Sequence, residues 1–156
     1  MRFLDANVFI YAYYKPRKKL SPRPLAMKTM AKEIISRISE GGEEVVTSIV
    51  HVSEVCNIVK KTLSVGQVIA LISSILESEN IKVVDVSVEM YKEATALGQI
   101  YNLEPNDALA VLIMEKRGLG EIYTFDSDFD SVDWIVRIPS DEQIERKAKQ
   151  LIRGKR

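Results

Sequence analysis

The chain has one cysteine, no surplus of charge of either sign and no long hydrophobic run, and each scarcity excludes a class of protein. Cys56 alone cannot build an internal disulfide framework or a Cys-rich zinc module. Lys plus Arg and Asp plus Glu both total 22, so no global field draws the chain toward nucleic acid, although local patches can still steer a ligand. No apolar run reaches the roughly 18–20 residues of a membrane span. The opening MRFLDANVFIYAYY is broken by Asp5 and Asn7 and does not read as a signal peptide. The expectation is a cytoplasmic protein with no membrane association.

What remains is a globular composition, 46% hydrophobic and 28% charged over 156 residues, enough to bury a core and fitting a single domain over residues 1–156. Strand and helix patterns alternate along it. Arg2 to Leu4 reads as a short strand, followed by a helix from Asn7 to Tyr14, a Pro- and Lys-rich loop from Lys15 to Pro24, and an amphipathic helix from Ala26 to Glu40. Glu44 to Thr47 is the second strand. Ser48 then caps a helix whose Val52, Val55, Cys56 and Val59 make an apolar stripe. Ser64 with Gln67 forms a capping box before VIALISSIL, and Ile81 to Val86 is the third strand. Ser87 opens a helix running to Tyr101. Ala108 to Met114 is apolar all round and predicts a central buried helix ended by Gly118 to Gly120. Ile122 to Phe125 and Trp134 to Ile138 read as further strands. A second capping box, Ser140 with Gln143, starts a terminal helix ending in the basic run Arg153 to Arg156. The alternation implies an α/β/α sandwich around a mostly parallel sheet of four to five strands, because parallel strands need crossover connections.

Four acidic residues stand where strands end or helices begin: Asp5, Glu54, Asp107 and Asp126. In open parallel sheets, ligands bind beyond the carboxyl ends of the strands, where Asp5 and Asp126 should emerge. Glu54 lies one position before Val55, about 100° off the apolar stripe and so at its border. Asp107 follows Pro105-Asn106 in a first helical turn. Carboxylates gathered from remote segments repel one another, and a hard divalent cation with oxygen ligands is the usual compensation. Taken singly, each has a plainer reading: Asp5 and Asp126 as turn or N-cap residues, Asp107 as a first-turn acid favoured by the helix dipole, Glu54 as a solvated flank. Asp128 is an auxiliary ligand candidate, and Asp130 reads as a loop acid.

Together, DANV at the start, T-S-x-x-x-x-x-E in the middle, N-D-A-L-A before an apolar helix and T-F-D-x-D-F after a strand resemble the acidic motifs of PIN-domain ribonucleases, above all the VapC-type toxins of prokaryotic toxin–antitoxin pairs. The resemblance runs from Met1 to Ile138. It implies endonucleolytic cleavage of RNA with Mg²⁺ or Mn²⁺, one ion or two, at Asp5, Glu54, Asp107 and Asp126. Asn7, Ser48 and Thr124 match the polar positions that support those acids. It further implies a homodimer and a small antitoxin as partners.

An acidic pocket needs help to hold RNA. Lys15, Arg17, Lys18, Lys19 and Arg23 lie close in sequence to Asp5, with Tyr13 and Tyr14 for stacking, and they read either as a phosphate grip or as a solvated loop. The tail Arg146 to Arg156 is a second basic segment or a frayed end. His51 reads as a surface or capping residue, Cys56 as core, and Met90 and Tyr91 as packing or interface. A phospho-aspartyl receiver would need an acidic pair after the first strand and a Lys after the last. A haloacid-dehalogenase-type phosphatase would need Asp where Asn7 stands. A PIN-like domain that binds RNA or protein without cutting is the remaining alternative, as is an RNA-processing nuclease that is not a toxin.

Overall fold

Short runs of β-branched and aromatic residues build the centre of the molecule, a sheet of five parallel strands. A computed structural model describes residues 1–155; Arg156, the end of the basic run, lies outside the described residues. The strands are β1 (Arg2–Leu4), β2 (Val45–Ser48), β3 (Ile81–Val84), β4 (Glu121–Tyr123) and β5 (Val136–Ile138). The helices are α1 (Ala6–Tyr13), α2 (Pro22–Ser39), α3 (Ile49–Val59), α4 (Val65–Glu77), α5 (Val88–Tyr101), α6 (Pro105–Arg117) and α7 (Asp141–Arg153). A single 3-10 turn covers Ser127–Ser131.

Side chains alternate across the sheet, and that alternation divides the core in two. Leu4, Val45 and Tyr123 face a layer made by α1, α2, α3, α4 and α7. Phe3, Val46 and Ile122 face the other layer, dominated by α5 and α6. Ala108 to Met114 of α6 are all buried, as their unbroken apolar run requires. Gly118 ends that helix at φ +65°, a conformation that costs glycine little. Both expected capping boxes form, at Ser64/Gln67 and Ser140/Gln143.

Several boundaries move from their expected places. The second helix begins at Pro22 rather than Ala26, because Pro22 takes the first helical position, where no intrahelical N–H is needed. Arg23 therefore lies on a helix, and its guanidinium reaches Asp141 Oδ1 at 2.9 Å. β4 stops at Tyr123: the Phe125 amide leaves the ladder to donate to Asn7 Oδ1 at 3.2 Å. The first helix starts one residue early, capped by Asp5. β3 ends at Val84, and β5 begins only at Val136.

The strand order places the functional edge. From β1 the chain moves outward to β2 and β3 on one side, then returns across the sheet to β4 and β5 on the other. The direction of winding reverses between β1 and β4, so the crossover helices part there and leave a crevice above the strand ends. Asp5 and Thr124 to Asp126 are the residues that follow those two strands.

Candidate active site

Asp5 is the most deeply buried acid of the crevice, only 4% exposed. One carboxylate oxygen accepts the Ala6 amide at 2.7 Å, which makes Asp5 the N-cap of α1. The other accepts the Thr124 hydroxyl at 2.7 Å. Thr124 also accepts the Asp126 amide at 3.1 Å and the Asn7 side-chain amide at 3.2 Å. The end of β4 is thereby tied to the end of β1 through side chains, and Asn7 completes the tie by holding the Phe125 backbone. Thr124 orients Asp5 directly, and Asn7 acts through Thr124.

The other acids arrive on helices. Glu54 rides the border of the α3 stripe, half-buried, and accepts the Asn106 side-chain amide at 2.8 Å. Tyr91 of α5 donates its hydroxyl to the other end of Asn106 and fixes the amide's direction. Asn106 precedes Asp107 in the first turn of α6, so one turn presents both a carboxylate and the clamp on its neighbour. Asp126 caps the 3-10 turn by accepting the Asp128 amide at 2.9 Å. The N-cap and first-turn roles of Asp5, Asp107 and Asp126 are thus real, and they set these acids in place rather than competing with a joint site.

Two triads of ligand atoms result, each with all three atoms within 4.8 Å of one another: Asp5, His51 and Glu54 in one, Asp107, Asp126 and Asp128 in the other. They belong to one electrostatic site. Burial pushes Asp5 up to about 7, against the Thr124 hydrogen bond, and the charges of Glu54 and Asp126 push it further the same way. Asp107 is also pushed up to about 7, first by burial and then by Asp5, Asp126 and Glu54. Among the described residues, none of these acids forms an ion pair with Lys or Arg. Crowded oxygens, raised pKa values and no cationic side chain to neutralise them suit a hard divalent ion.

The structure corrects the expectation for His51. It is not a surface residue: the ring is 1% exposed, packed edge-to-face on Phe3 at 5.1 Å. The signal was present, since His51 stands four residues before Val55 and so continues the buried stripe of α3. Ser48 serves His51 rather than a carboxylate. Its hydroxyl lies 2.6 Å from Nδ1 and accepts the His51 backbone amide at 3.2 Å. Tyr91 supports the site through Asn106, beyond the packing or interface role expected of it. Cys56 is half-buried at the rim of the core.

Lys15, Arg17, Lys18 and Lys19 are exposed and form no ion pair among the described residues, whereas Arg23 is engaged with Asp141. Sequence reasoning passed over Lys28, whose ammonium donates to the carbonyls of Tyr11, Ala12 and Tyr14 and so caps α1. A groove of about 650 Å³ opens beside Glu54 and Asn106, lined by Val50, Ser53, Val86 and Tyr91 among others. No helix among the described residues is long and apolar enough to cross a membrane.

The PIN domain model matches residues 2–135: the chain belongs to the PIN domain family. Among curated proteins it is similar to Ribonuclease VapC6 of Methanocaldococcus jannaschii, 34% identical over 64 residues. That match covers 41% of this chain and 42% of the relative, so it spans about two-fifths of either protein. Among solved structures the fold is like Mycobacterium tuberculosis VapC20, a toxin that cleaves the sarcin-ricin loop, with a TM-score of 0.67 at 20% identity. That likeness covers 86% of this chain and 97% of the other. FitAcB from Neisseria gonorrhoeae matches with a TM-score of 0.50 at 20% identity, over 88% and 96%. The α/β/α architecture expected from the sequence is therefore the fold of the VapC structures.

Proposed function

We propose that this protein is a metal-dependent endoribonuclease acting on RNA phosphodiester bonds, and the toxin of a toxin–antitoxin pair. The observation that carries the reading is the meeting of Asp5, Glu54, Asp107 and Asp126, drawn from four remote motifs, at one sheet edge with no Lys or Arg paired to them among the described residues. Likeness to VapC6 and VapC20 supports the choice of RNA over other phosphodiesters and the toxin role. Mg²⁺ or Mn²⁺, one ion or two, supplies charge neutralisation at the scissile phosphate and activation of water when bound.

The protein's own groups divide the rest of the work. Asp5, Glu54, Asp107 and Asp126 are the ligands, with Asp128 an auxiliary one on the exposed side. Asp107, in the first turn of α6, serves either as a ligand or as the base that orients the attacking water. Asn106 and Thr124 hold Glu54 and Asp5 in register, Asn7 holds Thr124, and Ser48 acts through His51. Lys15, Arg17, Lys18 and Lys19 grip the RNA backbone; Arg23 is spent on Asp141 and contributes less. The groove beside Glu54 has room for a nucleotide flanking the cleaved bond. The chain acts as one domain in the cytoplasm, as a homodimer restrained by a small antitoxin protein.

The test is cleavage of a mixed RNA panel with Mg²⁺ or Mn²⁺, comparing the parent with Asp5→Asn and Asp126→Asn. Each variant is expected to lose about a hundredfold or more of the activity, since each removes a ligand charge from the reacting centre. Full activity in excess chelator, or in either variant, rejects the mechanism. RNA binding without cleavage under any metal would favour the non-catalytic alternative.

A further inference from the structure

We propose that His51 is a nitrogen ligand of the ion held by Asp5 and Glu54, and that it shifts the site's preference from Mg²⁺ toward first-row transition ions such as Mn²⁺ and Co²⁺. The proposal rests on the metal reading above and adds to it a donor type that the four acidic motifs do not contain.

Geometry comes first. One imidazole nitrogen of His51 and one oxygen each of Asp5 and Glu54 lie within 4.8 Å of one another. Ligands of an octahedral ion with bonds of about 2.1 Å are about 3.0 Å apart when adjacent and about 4.2 Å when opposite, so side-chain movements of about 1–2 Å close the set. The ring is already oriented. Ser48 Oγ engages Nδ1 at 2.6 Å and is itself fixed by the His51 amide, while the edge of Phe3 confines the plane. That leaves Nε2 fully buried with no hydrogen-bond partner among the described residues. The Asn106 backbone lies near enough to favour the charged ring, yet it makes no hydrogen bond with Nε2.

A histidine kept only for packing would satisfy both ring nitrogens, because a buried unpaired polar atom is costly. One nitrogen held by a hydroxyl and the other unpaired, on a ring that has two carboxylates for neighbours, is instead the arrangement of a ligating imidazole, whose second nitrogen fixes tautomer and direction. Magnesium favours an all-oxygen shell, whereas imidazole suits transition ions and gains along the series from Mn²⁺ to Co²⁺.

The experiment uses the full chain, stripped of metal and loaded with less than one equivalent of Mn²⁺. Pulsed electron paramagnetic resonance should show modulation from a directly bound nitrogen in the parent and none in His51→Gln. Calorimetric titration should show Co²⁺ affinity falling about tenfold or more in His51→Gln, with Mg²⁺ affinity within about twofold of the parent. Two results would overturn the proposal while leaving the metal site standing: Mn²⁺ binding that needs Asp5 but carries no nitrogen modulation, or Mg²⁺ and Co²⁺ affinities falling by the same factor. Absence of any Mn²⁺ binding would remove the metal reading along with it. If His51→Gln does not fold, the parent spectrum alone decides.

Discussion

Replacing Asp5 with Asn should stabilise the metal-free protein, and only at high pH. The side chain is 4% exposed, and its folded pKa is raised from 3.8 to about 7, chiefly by burial. Since the folded pKa lies above the unfolded one, the native state holds this proton the more tightly. The contribution is complete below about pH 4 and is lost as pH rises through about 7. Three pK units at about 1.4 kcal/mol each make the loss about 4 kcal/mol. Asn cannot accept from both Ala6 and Thr124, which costs about 1 kcal/mol. The net gain at pH 8 is then about 3 kcal/mol, a rise in Tm of about 6–12 °C for a chain of this size. At pH 4 the gain is gone and the variant is slightly the weaker. His51 shifts the opposite way, from 6.5 to about 4, so it adds stability as pH rises across that interval. It does so in both proteins and drops out of the comparison. The assay is thermal unfolding in chelator from pH 4 to 8, followed by titration with Mn²⁺, which should raise the parent's Tm and leave the variant's unchanged. Equal pH slopes for the two proteins, or a variant weaker at pH 8, would refute the reasoning.

Asn106→Ala should lower cleavage about 10–100-fold at nearly unchanged Tm, because Glu54 loses the Asn106 amide that holds it; a rate equal to the parent's in a steady-state assay would deny the clamp a role. Gly98→Ala would bring a Cβ within 2.6 Å of the Leu103 carbonyl where α5 turns into α6, and should cost about 1–3 kcal/mol in a urea denaturation series. Removing Lys18 and Lys19 together, by Ala substitution, should raise KM severalfold, leave kcat alone and flatten the salt dependence of KM; the same salt slope in parent and variant would mark the loop as a bystander.

Much of the fold was legible because local chemistry decides it. The two capping boxes, the buried stripe of α3 and the all-apolar run of α6 depend on residues within a few positions of each other. The errors fell where a long-range contact outweighs local preference. The end of β4 is set by Asn7, more than a hundred residues away, and Arg23 left the basic loop for Asp141 of α7. His51 lies on the buried stripe of α3 by its spacing, and Ser48 and Phe3 accommodate there a polar ring that its type alone would set at the surface.

The sequence by itself determined that strands alternate with crossover helices, and hence that the strands run parallel and that acids following them share an edge. It could not determine the strand order, and therefore which strand ends are neighbours. Only the tertiary structure set β4 beside β1, grouped Asp5 with Glu54 and His51, grouped Asp107 with Asp126 and Asp128, and brought Asn106 onto Glu54. Helix and strand follow from interactions a few residues apart, whereas burial, shared charge and raised pKa values exist only once segments remote in the chain meet in space.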